Sequence, residues 1–381
     1  MKQNYDVIVV GAGPAGAMLA YELAKAGIDV LVLEKEKLPR YKCCAGGVTG
    51  RAAKLLDFDI SQVTEATIYE VVFTFKLGKA FVGEHSEPLM YTVMRETFDQ
   101  FLMHEAQRLG AVLMAGQKVT QIRVSPDQVE VSAADNVFHS RVVVGADGAY
   151  SMVARELNME RPTERIAAIE SEITVAQQQL ERWKSRVQID LGIIPAGYAW
   201  VFPKRDHLSV GAGCRASKAR NLNRHYHEFM DSLNIGEHTV TRSESHLIPT
   251  CTRGRLVWQD RALLLGDAAG LADPLTGEGI YYAIRSAQLA APAIKSCLAK
   301  AGGGLEEYQR LVEKNIMSEL RIASTLSNYF VRFPRPAFRM LSRKEGVWRA
   351  ERDVMLGATD YSAVKEKIGG FGGILTHLLR F

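Results

Sequence analysis

Gly11, Gly13 and Gly16 stand in the turn Gly11-Ala12-Gly13-Pro14-Ala15-Gly16, and glycines at that spacing make a cradle for phosphate. Gly11 permits a tight turn, Gly13 lets the backbone approach a pyrophosphate, and Gly16 lets a helix pack closely on a strand. The phosphates would then rest on unpaired backbone N–H groups at the positive end of the helix. Glu34, 18 residues after Gly16, is placed to accept hydrogen bonds from ribose hydroxyls. Pro14 and Ala15 at the start of the helix, and Lys35 beside the acid, belong to the same expected site.

The elements that must position these residues are legible around them. Asp6–Val10 is a β-branched run with the composition of a buried strand, Ala17–Ala26 carries apolar residues at helical spacing, and Asp29–Leu33 is a second strand. Strand, glycine turn, helix, strand and acid form a complete βαβ unit of about thirty residues, the context that gives a glycine triplet its meaning. Residues 66–93 become strand-like, a helical pattern runs from Val93 to Gly110, and strands follow at Val119–Val124, Gln128–Ser132 and Arg141–Val144. Residues 164–250 again favour strands, with turns at Pro195–Gly197 and Pro203–Asp206. Gly211-Ala-Gly213 lacks a third glycine and a following helix, so it reads as a strand on which something packs closely. Leu305–Phe330 has the apolar spacing of one amphipathic helix, and Gly369–Phe381 is a glycine-rich turn with an apolar tail. The expected fold class is α/β: a discontinuous dinucleotide-binding domain (1–65, 94–160, 251–304), an interleaved substrate domain on an antiparallel sheet (66–93, 161–250) and a C-terminal helical region (305–381).

Two later motifs narrow the dinucleotide to FAD by resemblance. Val143-Val-Gly-Ala-Asp147-Gly148, running on to Arg155, resembles the Asp-Gly motif of the para-hydroxybenzoate hydroxylase superfamily. Leu263-Leu-Leu-Gly266-Asp267-Ala-Ala-Gly270, followed by Asp273-Pro274, is similar to its Gly-Asp motif, whose aspartate meets the ribitol chain. Arg95, in Arg-x-x-Phe-Asp99-x-x-Leu102, matches that superfamily's arginine near the FAD phosphates. The resemblance implies a Rossmann-type FAD-binding domain. Read from the residues alone, Asp147-Gly148 also suits a plain turn and Asp267 a helix cap.

Within that superfamily, three stretches resemble the geranylgeranyl reductase family. Lys42-Cys43-Cys44-Ala45-Gly46-Gly47 is similar to its Lys-Pro-Cys-Gly-Gly-Gly segment, with Cys43 in the proline place and Ala45 in the first glycine place. Pro195-Ala-Gly-Tyr198-Ala-Trp200-Val-Phe202-Pro203 is close to its Pro-x-x-Tyr-x-Trp-x-Phe-Pro signature, and Leu275-Thr-Gly277-Glu-Gly279-Ile280 follows as a glycine loop. The likeness covers roughly residues 1–330; the last fifty carry no motif of use. It implies FAD contacts that include Cys44, Ala45, Gly46, Val119, Pro274, Gly277, Gly279 and Ile280. It also implies hydrogenation of carbon–carbon double bonds in an isoprenoid chain. Cys44, Tyr198 and Trp200 are the residues expected beside the flavin and the chain, Tyr198 as a candidate proton donor and Trp200 as a wall. The rival expectations are a flavin monooxygenase or epoxidase, and a flavoprotein carrying electrons to quinone. The latter usually recruits an iron–sulfur module, and this chain has no cysteine cluster to ligate one.

Bulk properties bound the remaining expectations. A formal charge of +4 is too small to imply nucleic-acid binding. Five cysteines without zinc-type spacing imply no metal site, and reduced thiols point to the cytoplasm. His225 and His227, without acids or thiols clustered beside them, suit a solvated helix face. Lys2 before an apolar run looks like a leader, but the glycines and the charged continuation at Glu22 and Lys25 belong to the βαβ unit. No run of 18 apolar residues is present. Arg332–Lys344 is basic with interleaved apolar residues, so peripheral contact with the inner face of a membrane is expected as readily as a solvated face. No separate nicotinamide domain is visible. Electrons are therefore expected from transiently bound NAD(P)H or from a ferredoxin-like protein.

Overall fold

The computed structural model describes residues 2–160, 162, 164–251, 255–299 and 304–369. Asn4–Val10 (β1), Pro14–Lys25 (α1) and Val30–Glu34 (β2) form the βαβ unit, with β1 and β2 parallel. Asn136–Gly145 pairs parallel to β1 on its other side and Ala262–Leu264 lies parallel beyond it, while Val112–Ala115 pairs parallel to β2. These strands are apolar on both faces, as parallel strands covered by helices must be. Helix α1 and the helix Ile280–Ala299 bury their small-residue faces in this layer. Gly16 makes that possible: a side chain there would run into the Gly11 carbonyl.

The second layer is a seven-stranded sheet in the order 238–250, 164–175, 208–215, 197–203, 186–191, 70–75 and 80–84. All neighbours are antiparallel except 186–191 against 70–75. A small third sheet joins Gly47–Thr49, Met90–Val93 and Thr64–Ile68 between the two. The back of the large sheet is covered by Gln177–Trp183 and Leu222–Ser232, two helices that a strand-rich reading of 164–250 does not anticipate. Leu222, Tyr226, Phe229 and Met230 are buried there against Ile173, Leu208 and Val210, a helical spacing too short to stand out among strands. His225 and His227 lie on the outer side of this helix, His225 paired with Glu228.

The helix expected over Leu305–Phe330 is one path with an irregularity. Glu306–Val312 and Ser318–Arg332 are α-helical, and Glu313–Met317 between them is a π-helical turn. Helices Pro334–Arg343, Glu345–Met355 and Tyr361–Gly369 then fold back over the front of the large sheet. Trp348 docks them, edge-on to Phe73 at 5.9 Å and to Phe81 at 6.0 Å. Gly83 leaves the space, because a Cβ there would overlap the indole. Residues 370–381 of the expected apolar tail lie outside the described residues. No helix among those described is long and apolar enough to cross a membrane.

Candidate active site at the junction of the two sheets

One cavity of about 1240 Å³ runs between the two layers, more than the roughly 300–1,000 Å³ that a single small ligand usually occupies. Its polar end is the glycine turn. Gly11 has φ +102°, and a Cβ there would lie 2.5 Å from the Ala146 carbonyl oxygen, so only glycine fits. Helix α1 begins at Pro14 with no side-chain cap and no acid in its first turn, leaving its N-terminal N–H groups available to an anion. Glu34 ends β2 with one carboxylate oxygen accepting from the Ala12 N–H at 2.8 Å and the other from Glu36 N–H at 3.1 Å.

Two guanidinium groups overhang this turn. A Cβ at Gly13 would be 3.9 Å from an Arg40 nitrogen and 4.0 Å from an Arg95 nitrogen. Buried Asp99 holds both: Arg95 donates to it at 2.8 and 2.9 Å, and Arg40 at 3.0 Å. A fixed pair of forks over a glycine turn and a helix N-terminus suits a pyrophosphate. Further in, burial pushes the Asp267 carboxyl up while Lys42 and Arg95 oppose the shift. Lys42 lies 2.8 Å from His246 Nε2, and burial together with Lys42 and Arg95 pushes that imidazole down to about 4. A neutral ring can therefore accept a hydrogen bond from the lysine ammonium.

The structure gathers nearly all the expected site residues on this wall. Gly11, Gly13, Pro14, Ala15, Glu34 and Lys35 line the polar end, and Arg95, Val119, Asp147, Gly148 and Asp267 the next stretch. Cys44, Ala45, Gly46, Gly277, Gly279 and Ile280 meet Tyr198 and Trp200 further along. Gly16, Gly266 and Pro274 are off the wall; Gly266, at φ +50°, packs against Ala15 and Ala283. Asp147 is both a cavity residue and a turn device, since one of its oxygens accepts from Met152 and Val153 N–H at 2.6 and 3.1 Å. The residues present fit FAD: a turn whose Gly11 and Gly16 admit no side chain, two guanidiniums over it, and the Glu34 and Asp267 carboxylates along the same wall.

The Cys44 loop is pinned from beneath. Buried Lys204, the residue after the Tyr198–Pro203 stretch, donates to the carbonyls of Ala45 at 2.7 Å and Val93 at 2.9 Å. The Gly46 N–H lies 3.3 Å from Cys44 Sγ, and burial pushes the neighbouring Cys43 thiol up. The Tyr198 hydroxyl donates to the Thr276 carbonyl of the glycine loop, and its ring lies 5.6 Å from that of Trp200.

Trp200 reveals why Gly211 and Gly213 are glycine. Gly211 is in register with Trp200 on one side and Glu170 on the other. The indole lies across Gly211, where a Cβ would overlap it, and its Nε1 donates to Glu170 at 3.3 Å. Strands are about 4.8 Å apart, so this bond spans two strand spacings and needs a bare backbone between. Glu170 is 2% exposed and lines the cavity. Burial and the nearby Glu172 raise its pKa to about 7 against the hydrogen bonds from Ser209 and Trp200. Sequence reasoning missed this acid, because nothing in Ile-Glu-Ser-Glu marks it until the strands pair.

A second group also escaped the sequence. Arg51, 5% exposed, donates through two nitrogens to Glu278 of the glycine loop and stacks 4.0 Å from the Tyr281 ring centroid. Thr49 donates to the same carboxylate. Asp273 accepts from the N–H groups of Leu275 and Thr276 and, at 2.7 Å, from the Tyr361 hydroxyl. The C-terminal helices thus hold the loop, and they also wall the cavity's apolar arm with Leu326, Phe330, Leu341, Val347, Val354 and Val364. Glu351 is the acid in that arm, raised to about 7 by burial.

This geometry agrees with comparisons to known proteins. The FAD binding domain family matches residues 4–311. A geranylgeranyl diphosphate reductase of Synechocystis is 31% identical over 76% of this chain and 74% of its own length. The chloroplastic enzyme of that name from Nicotiana tabacum is 30% identical over 82% and 69%. The chain belongs to the geranylgeranyl reductase family of FAD-dependent oxidoreductases. An uncharacterised protein of Methanosarcina barkeri is 32% identical over 86% of this chain and 84% of its own. Among solved structures, a geranylgeranyl bacteriochlorophyll reductase-like protein from Thermoplasma acidophilum superposes with TM-score 0.84 at 20% identity, covering 98% and 100% of the two chains. A flavin-dependent brominase superposes with TM-score 0.77, also at 20% identity, over 97% and 99%. The family shares its fold with halogenases, so the fold alone does not select the reaction.

Proposed function

We propose that this family member hydrogenates carbon–carbon double bonds of a geranylgeranyl or other polyprenyl chain carried by a lipid, a pigment or a quinone. The observation behind this reading is the continuity of the cavity. Its FAD cradle opens directly into an arm walled by Phe73, Val187, Ile189, Leu326, Phe330 and Val347. Reduced FAD supplies a hydride when bound. An isolated trisubstituted alkene has no carbonyl to polarise, so the protein must bring it to about 3–3.5 Å of the donor and keep water away. The apolar arm excludes water, Trp200 and Tyr198 form an aromatic wall of the cavity, and Cys44 lines the same cavity on the pinned loop. Electrons are supplied by transiently bound NAD(P)H or a ferredoxin-like protein.

The test is anaerobic. Protein with dithionite-reduced flavin is mixed with geranylgeranyl diphosphate or a menaquinone, and products are weighed by mass spectrometry. Products heavier by two hydrogens per reduced double bond, with concurrent flavin reoxidation, support the reading; Cys44→Ser is expected to keep FAD and lose most turnover. Inert prenyl compounds, with oxygen-dependent turnover of some other apolar ligand, would move the assignment to a monooxygenase.

The same reading places the protein at a lipid surface for part of its cycle, through Arg332–Lys344. Arg332, Arg335, Arg339 and Arg343 are exposed, while Ala337, Phe338 and Leu341 are buried in the core. The contact is therefore electrostatic, at about 1 kcal/mol per cation near an anionic leaflet. Flotation with anionic vesicles is expected at low salt and lost at high salt; equal flotation with neutral vesicles would sink the idea.

A further inference from the structure

We propose that Glu170 is the acid that protonates the alkene carbon, and that Ser209, Glu172 and His207 resupply its proton from solvent. This rests on the reductase reading and adds to it the group that completes the reaction. Adding hydrogen across a double bond takes a hydride at one carbon and a proton at the other. The π pair forms the second C–H bond, reduced flavin is oxidised by two electrons, and the acid is left as a carboxylate. The donor must lie on the cavity wall, hold its proton near neutrality and connect to water by a route other than the apolar arm.

Glu170 meets each condition. It lines the cavity, and Trp200 Nε1 fixes its carboxyl from the Tyr198–Trp200 wall. Behind it runs a series of polar groups. Ser209, fully buried, donates to Glu170 and is in register with Glu172 on the neighbouring strand. Glu172 is bound to His207 Nε2 at 3.1 Å, and His207 Nδ1 to Asp206 at 2.6 Å. Asp206 is 83% exposed, so the series begins at bulk water. The neighbouring groups divide the two acids. His207 and Lys204 hold the Glu172 carboxyl below its ordinary value, while burial and the Glu172 charge keep the proton on Glu170, whose pKa is about 7. Glu244 in register on the adjacent strand, Cys43, Tyr41, Tyr198 and Tyr226 complete the titratable surroundings. Tyr198 is less suited to the role: its hydroxyl is committed to Thr276, and burial pushes its pKa up.

The deciding variant is Glu170→Gln, which keeps the volume and an acceptor for Ser209 and Trp200 but cannot give up a proton. It is expected to bind FAD with an unchanged absorption spectrum, while anaerobic reoxidation of its reduced flavin by a prenyl alkene slows about 10²–10⁴-fold. In the wild type that rate falls as pH rises through about 7, as Glu170 loses its proton; Glu170→Asp should retain the limb. A protonated-carboxyl band in difference infrared spectra should titrate over the same range and be missing in Glu170→Gln. His207→Phe should slow the later hydrogenations of a polyunsaturated chain more than the first, because proton resupply follows the first turnover. A Glu170→Gln protein that reduces the alkene at the wild-type rate, or a wild type without the titrating band, overturns the proposal. If the wild type reduces no prenyl alkene, the reductase reading itself fails, a result distinct from an active Glu170→Gln.

Discussion

Arg51→Met will destabilise the protein by about 3–5 kcal/mol, the cost of stranding buried carboxylates that lose their cation. Arg51 holds Glu278 through two nitrogens, lies 3.7 Å from Glu319, and has the Tyr281, Tyr282 and Tyr361 rings around it. With methionine in its place, Glu278 keeps only the Thr49 hydroxyl and Glu319 the Tyr282 hydroxyl. The loss reaches the flavin end, because Glu278 belongs to the glycine loop between Gly277 and Gly279. Thermal unfolding should show a melting point lower by several degrees and earlier release of FAD. Arg51→Met/Glu278→Met should recover part of the loss, since removing both charges leaves fewer buried groups unpaired. A single variant that melts with the wild type would mean that water reaches this network.

On the proposed reductase function, Gly211→Ala should reduce alkene hydrogenation about 100-fold while leaving FAD binding intact. The new methyl group would occupy the space of the Trp200 ring, and a packed indole has nowhere to retreat without cost; overfilling a core typically costs about 1–3 kcal/mol. The larger effect is positional. Displacing the ring breaks its bond to Glu170 and moves the wall proposed to hold the alkene, and a shift of about 1 Å at a reacting centre is enough for 100-fold. Single-turnover flavin reoxidation measures the rate, and the flavin absorption spectrum reports the cofactor. An unaltered rate would show that the indole's position is irrelevant to the chemistry.

The sequence by itself determined the dinucleotide cradle. Gly11, Gly13, Gly16 and Glu34 act within about thirty residues, and their spacing carries the geometry because local chain stiffness leaves little else for it to do. It also marked Gly211 and Gly213 as a strand under close packing, though not which residue packs there. The tertiary structure decided the rest. Glu170, Gly211 and Trp200 become neighbours only when three strands pair in register, and antiparallel pairing is blind to the sequence distance between partners. The helices after residue 305 look like an ordinary amphipathic ending, because a residue lining an apolar arm has the same type and period as one filling a core. Folding them over Phe73 and Phe81 turns that ending into the wall of the cavity. Arg51 and Glu278, 227 residues apart, were invisible as a pair for the same reason: a buried ion pair is a property of two surfaces brought together, and neither segment carries a sign of the other.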